Sequence, residues 1–502
     1  MLNFDTSYIM SKKNYLIVYF IFIIVFSASF FSLRNYTSFN FELIILLILL
    51  VTGFFIILYY SDVELHKSCF VIILIFGLLM TFTTPILVVC DETEHFARSD
   101  LIAQGSIAPE YVDNGYKVSH LLIDLTNHSG ETFFNNNLAN EKIDSSVSFY
   151  PSCFAHNPFF AYLLSAFGIF LAKLFNLPAL WAMWLGRLFN LLFYAVVCSY
   201  SVKKAPAFKT PLFIVSCVPL AIYQAASFSA DCFIIAVSIF SIAQFIYLYK
   251  SPKVTPKDLG IFFISVLFVS FFKFPYILLS FFVFLVKKDQ FASKNIYLLS
   301  RIIPFILIGI CLAYTSYASN ILLNSARRDL FISNNVNSTA QLNYMLNHPF
   351  NTLLLFSSIF SFTVDLIFDL FRFSHATWTY ESPLLSVLYF VFFALFSFTY
   401  SDRDIEFKCK SKLFITLISL LMYVGIIFAV YLSWASVGYG RLDMVVGIYA
   451  RYFIPLLAIL PIIFSSTRLS SVVKIDNINS KLILMVLIFL AGTIILTVSK
   501  FY

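Results

Sequence analysis

Charge is what this 502-residue chain has least of. Asp, Glu, Lys and Arg together make up 12% of it, about half the share found in ordinary globular domains. A soluble core enclosed by a charged surface is thereby excluded. Glycine is also sparse, at 14 residues, and the eight cysteines show no CxxC spacing. Zinc-finger and thiol-redox motifs are therefore absent. No internal repeat, low-complexity tract or soluble domain at either end is found in the residue order. No nucleic-acid partner is expected.

What fills the chain is apolar. Hydrophobic residues reach 60%, and mean hydropathy is +0.88. Apolar runs such as 41–60, where Glu42 is the one charge, and the uncharged 68–89 and 482–499 approach the roughly 20 residues that cross a bilayer core as a helix. In lipid a helix satisfies its own backbone groups, so no separate core is required. The fold class expected is an all-α polytopic membrane protein forming one domain over 1–502. The first apolar run, 15–33, follows Lys12-Lys13. It is too long for a signal-peptide core and lacks a small-residue cleavage site, so it reads as a retained span. The 62 Phe and 29 Tyr are a bias without an assigned mechanism.

Lys and Arg in short loops set the orientation. An inside N-terminus at Lys12-Lys13 places the loops with Lys203-Lys204-Lys209, Lys250-Lys253-Lys257, Lys287-Lys288-Lys294 and Arg403-Lys408-Lys410-Lys412 inside, together with Arg468, Lys474 and Lys481. Three spans then bring the chain outside near Val89, so Asp91 is expected on the extracytoplasmic face. Only one span, about 178–200, separates it from inside Lys203-Lys204. The apolar run 158–175 should therefore lie along the surface or re-enter. The same parity applies to 350–371, which carries Asp365 and Asp369. Two long outside segments are expected, 91–177 and 319–383, each capped by an interfacial helix. Two ordinary extra spans with one misplaced basic loop are the alternative. The pair 259–272 and 275–286, hinged at Lys273-Phe274-Pro275-Tyr276, is marginal for spanning. The total comes to about thirteen spans.

Asp91, Glu92, Glu94, His95 and Arg98 fall within eight residues, directly after a span. In a helix, Asp91, Glu94 or His95, and Arg98 would share one face. Carboxylates held against an apolar floor gain proton affinity and suit a general base. An Asp/His/Glu set can also hold a divalent cation. The plain alternative is a solvated loop that ends a helix. Six of the seven histidines, His95, His120, His128, His156, His348 and His375, fall on the expected outside, with His66 alone inside. Of these His95 is favoured, since single histidines are more often structural. Cys90 and Cys153 are the cysteines expected in outside loops, where a disulfide could tie the Asp91 segment to the Pro158 helix.

The run Cys90-Asp91-Glu92-Thr93-Glu94-His95-Phe96-Ala97-Arg98, followed by Gln104-Gly105, resembles the DE-x-x-HF-x-R…G signature of a bacterial family known as predicted membrane proteins and placed with the GT-C glycosyltransferases. The resemblance continues through His156-Asn157-Pro158-Phe159, Leu185-Gly186-Arg187-Leu188-Phe189-Asn190, Pro219-Leu220, Gln224-Ala225-Ala226-Ser227 with Asp231, and Lys273-Phe274-Pro275-Tyr276. It ends with His348-Pro349, Tyr431-Leu432-Ser433-Trp434 and Ala450-Arg451-Tyr452-Phe453-Ile454-Pro455. It spans roughly 70–465 in order. The stretch 156–166 is also similar to the interfacial helix of protein mannosyltransferases and aminoarabinose transferases. In that wider group an acidic pair after the first span is catalytic. Here two spans precede the one that leads into the motif.

The resemblance implies a GT-C-like fold with an outward-facing active site in the bacterial inner membrane. It implies an inverting glycosyltransferase with a polyprenyl-phosphate-linked sugar as donor and a cell-envelope glycan, of O-antigen or teichoic type, as acceptor. Asp91 is then the catalytic base, with Glu92 its nearest substitute and Glu94 and His95 in support or holding a metal. Arg98, Arg187, Lys273 and Arg451 are phosphate candidates, because guanidinium groups offer bidentate geometry. Arg187 and Arg451 as structural pairs at helix ends are the alternative. His156, Asp231, Tyr276, Trp434 and Tyr452 are further site candidates. Help from Mg²⁺ or Mn²⁺ stays open, since GT-C enzymes differ. Competing expectations are a lipid-linked-oligosaccharide transporter or flippase, which would need charges in mid-span, and an O-antigen-type polymerase or ligase using Arg327-Arg328 and His348.

Overall fold

The computed structural model describes residues 6–31, 40–132, 134, 136–323, 331–370, 383–399, 407–438, 448–464, 466 and 477–502. Arg327, Arg328, His375, Arg403, Arg468 and Lys474 lie outside the described residues. The protein is a polytopic membrane protein, mostly helical, with one two-stranded sheet among the described residues. Three long helices open it: α1 (Thr6–Phe31), α2 (Asn40–Tyr60) and α3 (Leu65–Thr83). A short helix α4 (Glu92–Ala103) starts the segment that leads to α7 (Ala179–Lys204), and that segment also holds the two-stranded antiparallel pair β1 (Tyr116–Ser119) and β2 (Val147–Tyr150), helix α5 (Leu121–Asn127) and helix α6 (Leu163–Leu174). Then follow α8 (Lys209–Ser216), α9 (Pro219–Ala225), α10 (Ala230–Lys250), α11 (Pro256–Ser270), a 3₁₀ helix at Phe274–Leu285, and α12 (Lys294–Leu323).

Eight helices among the described residues are long and apolar enough to cross a membrane, with four shorter apolar helices beside them. Not every apolar stretch is a single long α-helix. Residues 209–225 are split at Val218, whose extended backbone precedes Pro219, because a residue before proline avoids the α region. Past α11, Pro275 opens twelve residues of 3₁₀ helix. At about 2.0 Å rise per residue that helix covers roughly 24 Å, so the short segment reaches far. Ile478–Phe501 and α10 are largely enclosed by their neighbours, whereas α1 and α12 lie mostly on the outside of the bundle.

The two ends of the bundle differ. At one end Lys12 Nζ pairs with Asp62 at 2.5 Å and with Ser480 Oγ at 3.0 Å, which ties the starts of α1 and Ile478–Phe501 to the end of α2. At the other end Tyr502 Oη donates to the Phe82 carbonyl, and Phe41 packs on Tyr502 and Phe134. The segment 84–178 folds at this second end, away from Lys12.

Helix α6 has twelve residues, about 18 Å, short of the roughly 30 Å of a bilayer core. It turns at Asn176 (φ 50°) and runs back antiparallel along the first half of α7. A Cβ on Gly168 would meet Gly186 N and Leu185 C at 2.5 Å, so glycine is what lets the two helices meet this closely. The buried face is Ser165, Ala166, Gly168, Ile169 and Ala172, while Leu163, Phe167, Phe170 and Leu174 form an exposed apolar stripe.

Candidate functional site

Asp91 caps α4 with a left-handed backbone (φ 64°, ψ 11°), a conformation that asparagine and aspartate tolerate better than other side chains. Its carbonyl accepts the first helical bond from His95 N at 3.1 Å. This twist sends Asp91 and Glu92 in different directions. Glu92 turns inward and is 1% exposed. Its carboxylate receives Arg187 Nε and Nη2, each at 2.8 Å, and Phe228 N at 3.1 Å. The rest of the Arg187 guanidinium donates to the carbonyls of Thr81, Thr84 and Pro85. Those are the unfilled acceptors at the C-terminal end of α3, where a cation is favoured. The Glu92–Arg187 fork thus joins the end of α3, the start of α4 and the middle of α7. It is the fixed point from which Asp91 projects.

Asp91 keeps 31% of its side chain exposed. Arg451 Nη2 reaches its Oδ2 at 2.6 Å, and Arg451 Nε stands 2.6 Å from Asp231 Oδ2. Asp231 sits at the start of α10, where Ser229 caps the helix. Arg451 is 5% exposed, and its guanidinium lies over the Tyr449 ring at 4.2 Å. Lys273 Nζ stands 3.3 Å above the Tyr452 ring, and Tyr276 Oη donates to the Tyr452 carbonyl at 2.8 Å. Asp91, Asp231, Arg451 and Lys273 all lie within electrostatic reach of His95. Burial pushes the His95 imidazole down to about 4, with Asp91 and Asp231 opposing, so it is neutral at pH 7. Its Nδ1 pairs with Tyr162 Oη at 2.9 Å.

The rest of α4 is anchored around this cluster. Asn157 Nδ2 also donates to Tyr162 Oη, and Arg98 Nε donates to the Asn157 carbonyl at 3.0 Å. Asp91, His95 and Arg98 thus follow one another along one side of α4. Glu94 points elsewhere, accepting from Tyr150 Oη, Ser152 Oγ and Cys153 N, so it fastens the chain after β2. No disulfide joins Cys90 and Cys153. Trp434 lies edge-on to Phe331 at 6.0 Å, and His348 stacks on Tyr344. His156 packs edge-on against Tyr116.

Sequence reasoning missed Asp100. Its side chain is fully buried and receives Lys173 Nζ at 2.6 Å, Ser119 N and Oγ, and Gln104 Nε2. Lys173 thereby fastens the far end of α6 to α4. In the residue order Asp100 was one of four charged side chains in α4, and its spacing did not set it apart. Tyr162 and Tyr449 were likewise hidden among 29 tyrosines. Among the described residues no three His, Cys, Asp or Glu side chains are grouped to hold a metal ion.

Chemically, the arrangement offers one partly open carboxylate, a buried arginine shared between two carboxylates, a neighbouring lysine and a neutral histidine. These groups come from α4, α10, the 273–276 hinge and residues 449–453, and they meet at the end of the bundle away from Lys12. Neither the curated proteins nor the solved structures contain a match to the chain. A family model matches residues 74–460, from within α3 through the Arg451 region, and the chain belongs to that family, described as Predicted membrane protein (DUF2142).

Proposed function

We propose that this protein is an inverting glycosyltransferase of GT-C type in the bacterial inner membrane. It moves a sugar from a polyprenyl-phosphate donor to a cell-envelope glycan, with Asp91 as base. The observation that carries the reading is Asp91 itself. It is partly open, set in a left-handed cap, and paired with Arg451, which also faces Asp231, while Lys273 lies within reach of the same His95. Groups of this kind at the rim of a membrane bundle are functional by default. The separation of ends supports an N-terminus inside and a site outside. Lys12 and Lys481 flank one end, Lys67, Lys203 and Lys209 lie within reach of His66 there, and the Asp91 cluster occupies the other.

In this reading Asp91 takes the proton of an acceptor hydroxyl. The hydroxyl oxygen attacks the anomeric carbon, and the bond from that carbon to the phosphate oxygen breaks. The polyprenyl phosphate leaves with the electron pair, and the configuration inverts. Arg451 and Lys273 are the cations beside Asp91 that would meet the charge developing on the leaving phosphate. Glu92 and Arg187 position Asp91 from below. A divalent cation, Mg²⁺ or Mn²⁺, would find Asp91 and Asp231 as its oxygen donors, both now facing Arg451.

The test uses membranes containing the full chain and a radiolabelled polyprenyl-phosphate-sugar pool, scoring label transferred to extractable glycan. Asp91→Asn should abolish transfer at normal protein level, while Glu110→Gln on the exposed loop should not. Transfer that survives Asp91→Asn, or no transfer from any donor, would sink the reading and move a polymerase or transporter ahead of it.

A further inference from the structure

The four cations expected as phosphate candidates are not equivalent. Arg187 is neutralised by Glu92, and Arg451 by Asp91 and Asp231. Lys273 lies on the face of Tyr452. Arg98 is different. It is 2% exposed, yet its two hydrogen bonds go to neutral carbonyls, those of Asn157 and Ile107. Its Nη1 is buried and has no hydrogen-bond partner. Among the described residues no carboxylate pairs with it; the groups within electrostatic reach are Tyr162, Tyr314 and Tyr116, and the His156 ring, packed on Tyr116.

A guanidinium out of water without an anion is a costly arrangement, because the attraction that normally offsets desolvation is missing. Burial pushes Arg98 down only to about 10, so it stays charged at neutral pH. A buried cation whose Nη1 donors are unfilled calls for an acceptor that arrives from outside. A planar fork with a free N–H suits the oxygens of a phosphate group. The position also suits a lipid-borne one. Tyr162 leads to Phe272 and Phe160, which meets Phe233 and Phe268, and Phe268 is exposed on the bundle surface.

We propose that Arg98, with His156 beside it, is a phosphate seat distinct from the Asp91–Arg451 pair. Two turns of α4 separate it from Asp91, about 10 Å along the axis. The seat takes a phosphate monoester, and its assignment to a lipid phosphate rests on the transferase reading above.

The experiment titrates the purified full chain in detergent with farnesyl phosphate, farnesol and inorganic phosphate, following heat or intrinsic fluorescence. Farnesyl phosphate should bind at least tenfold more tightly than farnesol. Arg98→Gln should weaken it at least tenfold, while Glu110→Gln should leave it as in the wild type. Because Arg98 also holds two backbone carbonyls, Arg98→Gln can lose its fold. His156→Glu then decides, since it brings a carboxylate to Arg98 without removing it. It should bind at least tenfold more weakly than His156→Gln. Inorganic phosphate binding as tightly as farnesyl phosphate keeps the seat and assigns it to free phosphate. Equal binding by His156→Glu and His156→Gln, or by a folded Arg98→Gln and the wild type, overturns the proposal. Binding is read here without sugar transfer, so a chain that binds but never transfers keeps the seat and loses the transferase.

Discussion

Arg451 holds Asp91 at 2.6 Å across 360 positions of sequence, and the same guanidinium stands 2.6 Å from Asp231. The two carboxylates are not alike. Asp91 is 31% exposed, whereas Asp231 is 7% exposed. Their substitutions should therefore separate function from stability. Asp91→Asn leaves Arg451 paired with buried Asp231, so the fold should lose less than about 1 kcal/mol while transfer disappears. Asp231→Asn leaves a buried arginine with a single, partly exposed partner and should cost about 2 kcal/mol or more. Thermal unfolding of the purified variants, set beside the transfer assay, checks both. Equal destabilisation by the two would mean that Asp91 is a structural cap.

The Glu92–Arg187 fork makes a second, opposite prediction. Both side chains are fully buried, and removing one charge strands the other. Glu92→Gln should cost about 3–5 kcal/mol and reduce the yield of folded protein. Coupling it with Arg187→Met removes the stranded charge and should recover part of the loss. Fluorescence-detected size exclusion on wild type, single and double variants reads this directly. A stable, inactive Glu92→Gln would instead place Glu92 in the chemistry.

How much of this was legible in the residue order follows from what each feature depends on. The membrane class rests on long uncharged runs, and the site's location rests on charges clustered after α3. Both are local properties. The break of 158–175 from a full span was also legible, because loop charges constrain parity. The division of labour between Asp91 and Glu92 was not. Adjacent residues differ only in direction, and the left-handed cap that sets the direction is tertiary. The Arg451–Asp91–Asp231 pairing joins three distant segments, and no spacing encodes it. Helix faces were equally silent, since lipid-facing and buried surfaces are both apolar here. Thus α10 and α1, equal in mean hydropathy, occupy the inside and the outside of the bundle.

Lys173 and Asp100 predict how α6 is held. Lys173→Met removes the ammonium and leaves a fully buried carboxylate with Ser119 and Gln104 as donors. The loss should be about 1–3 kcal/mol. It should be local, raising hydrogen exchange across 163–177 and in β1 more than in α10. Exchange that rises uniformly over the bundle would argue against a tether confined to α4, β1 and α6.

The last prediction concerns pH. Burial holds His95 at about 4 in the folded protein, against about 6.5 in an unfolded chain. Between those values the unfolded state binds the extra proton, so stability rises with pH across the window. The contribution is complete above about pH 6.5 and is lost as pH falls toward 4, amounting to about 3 kcal/mol for a fully buried group. His156, lowered by burial and by Arg98, acts in the same direction. The interval between pH 6.5 and 4.5 is where this histidine contribution is read. Unfolding temperatures of the wild type should therefore drop over that interval, and His95→Gln should flatten the drop. An unchanged slope in His95→Gln would mean that the imidazole takes up its proton without leaving its place beside Tyr162.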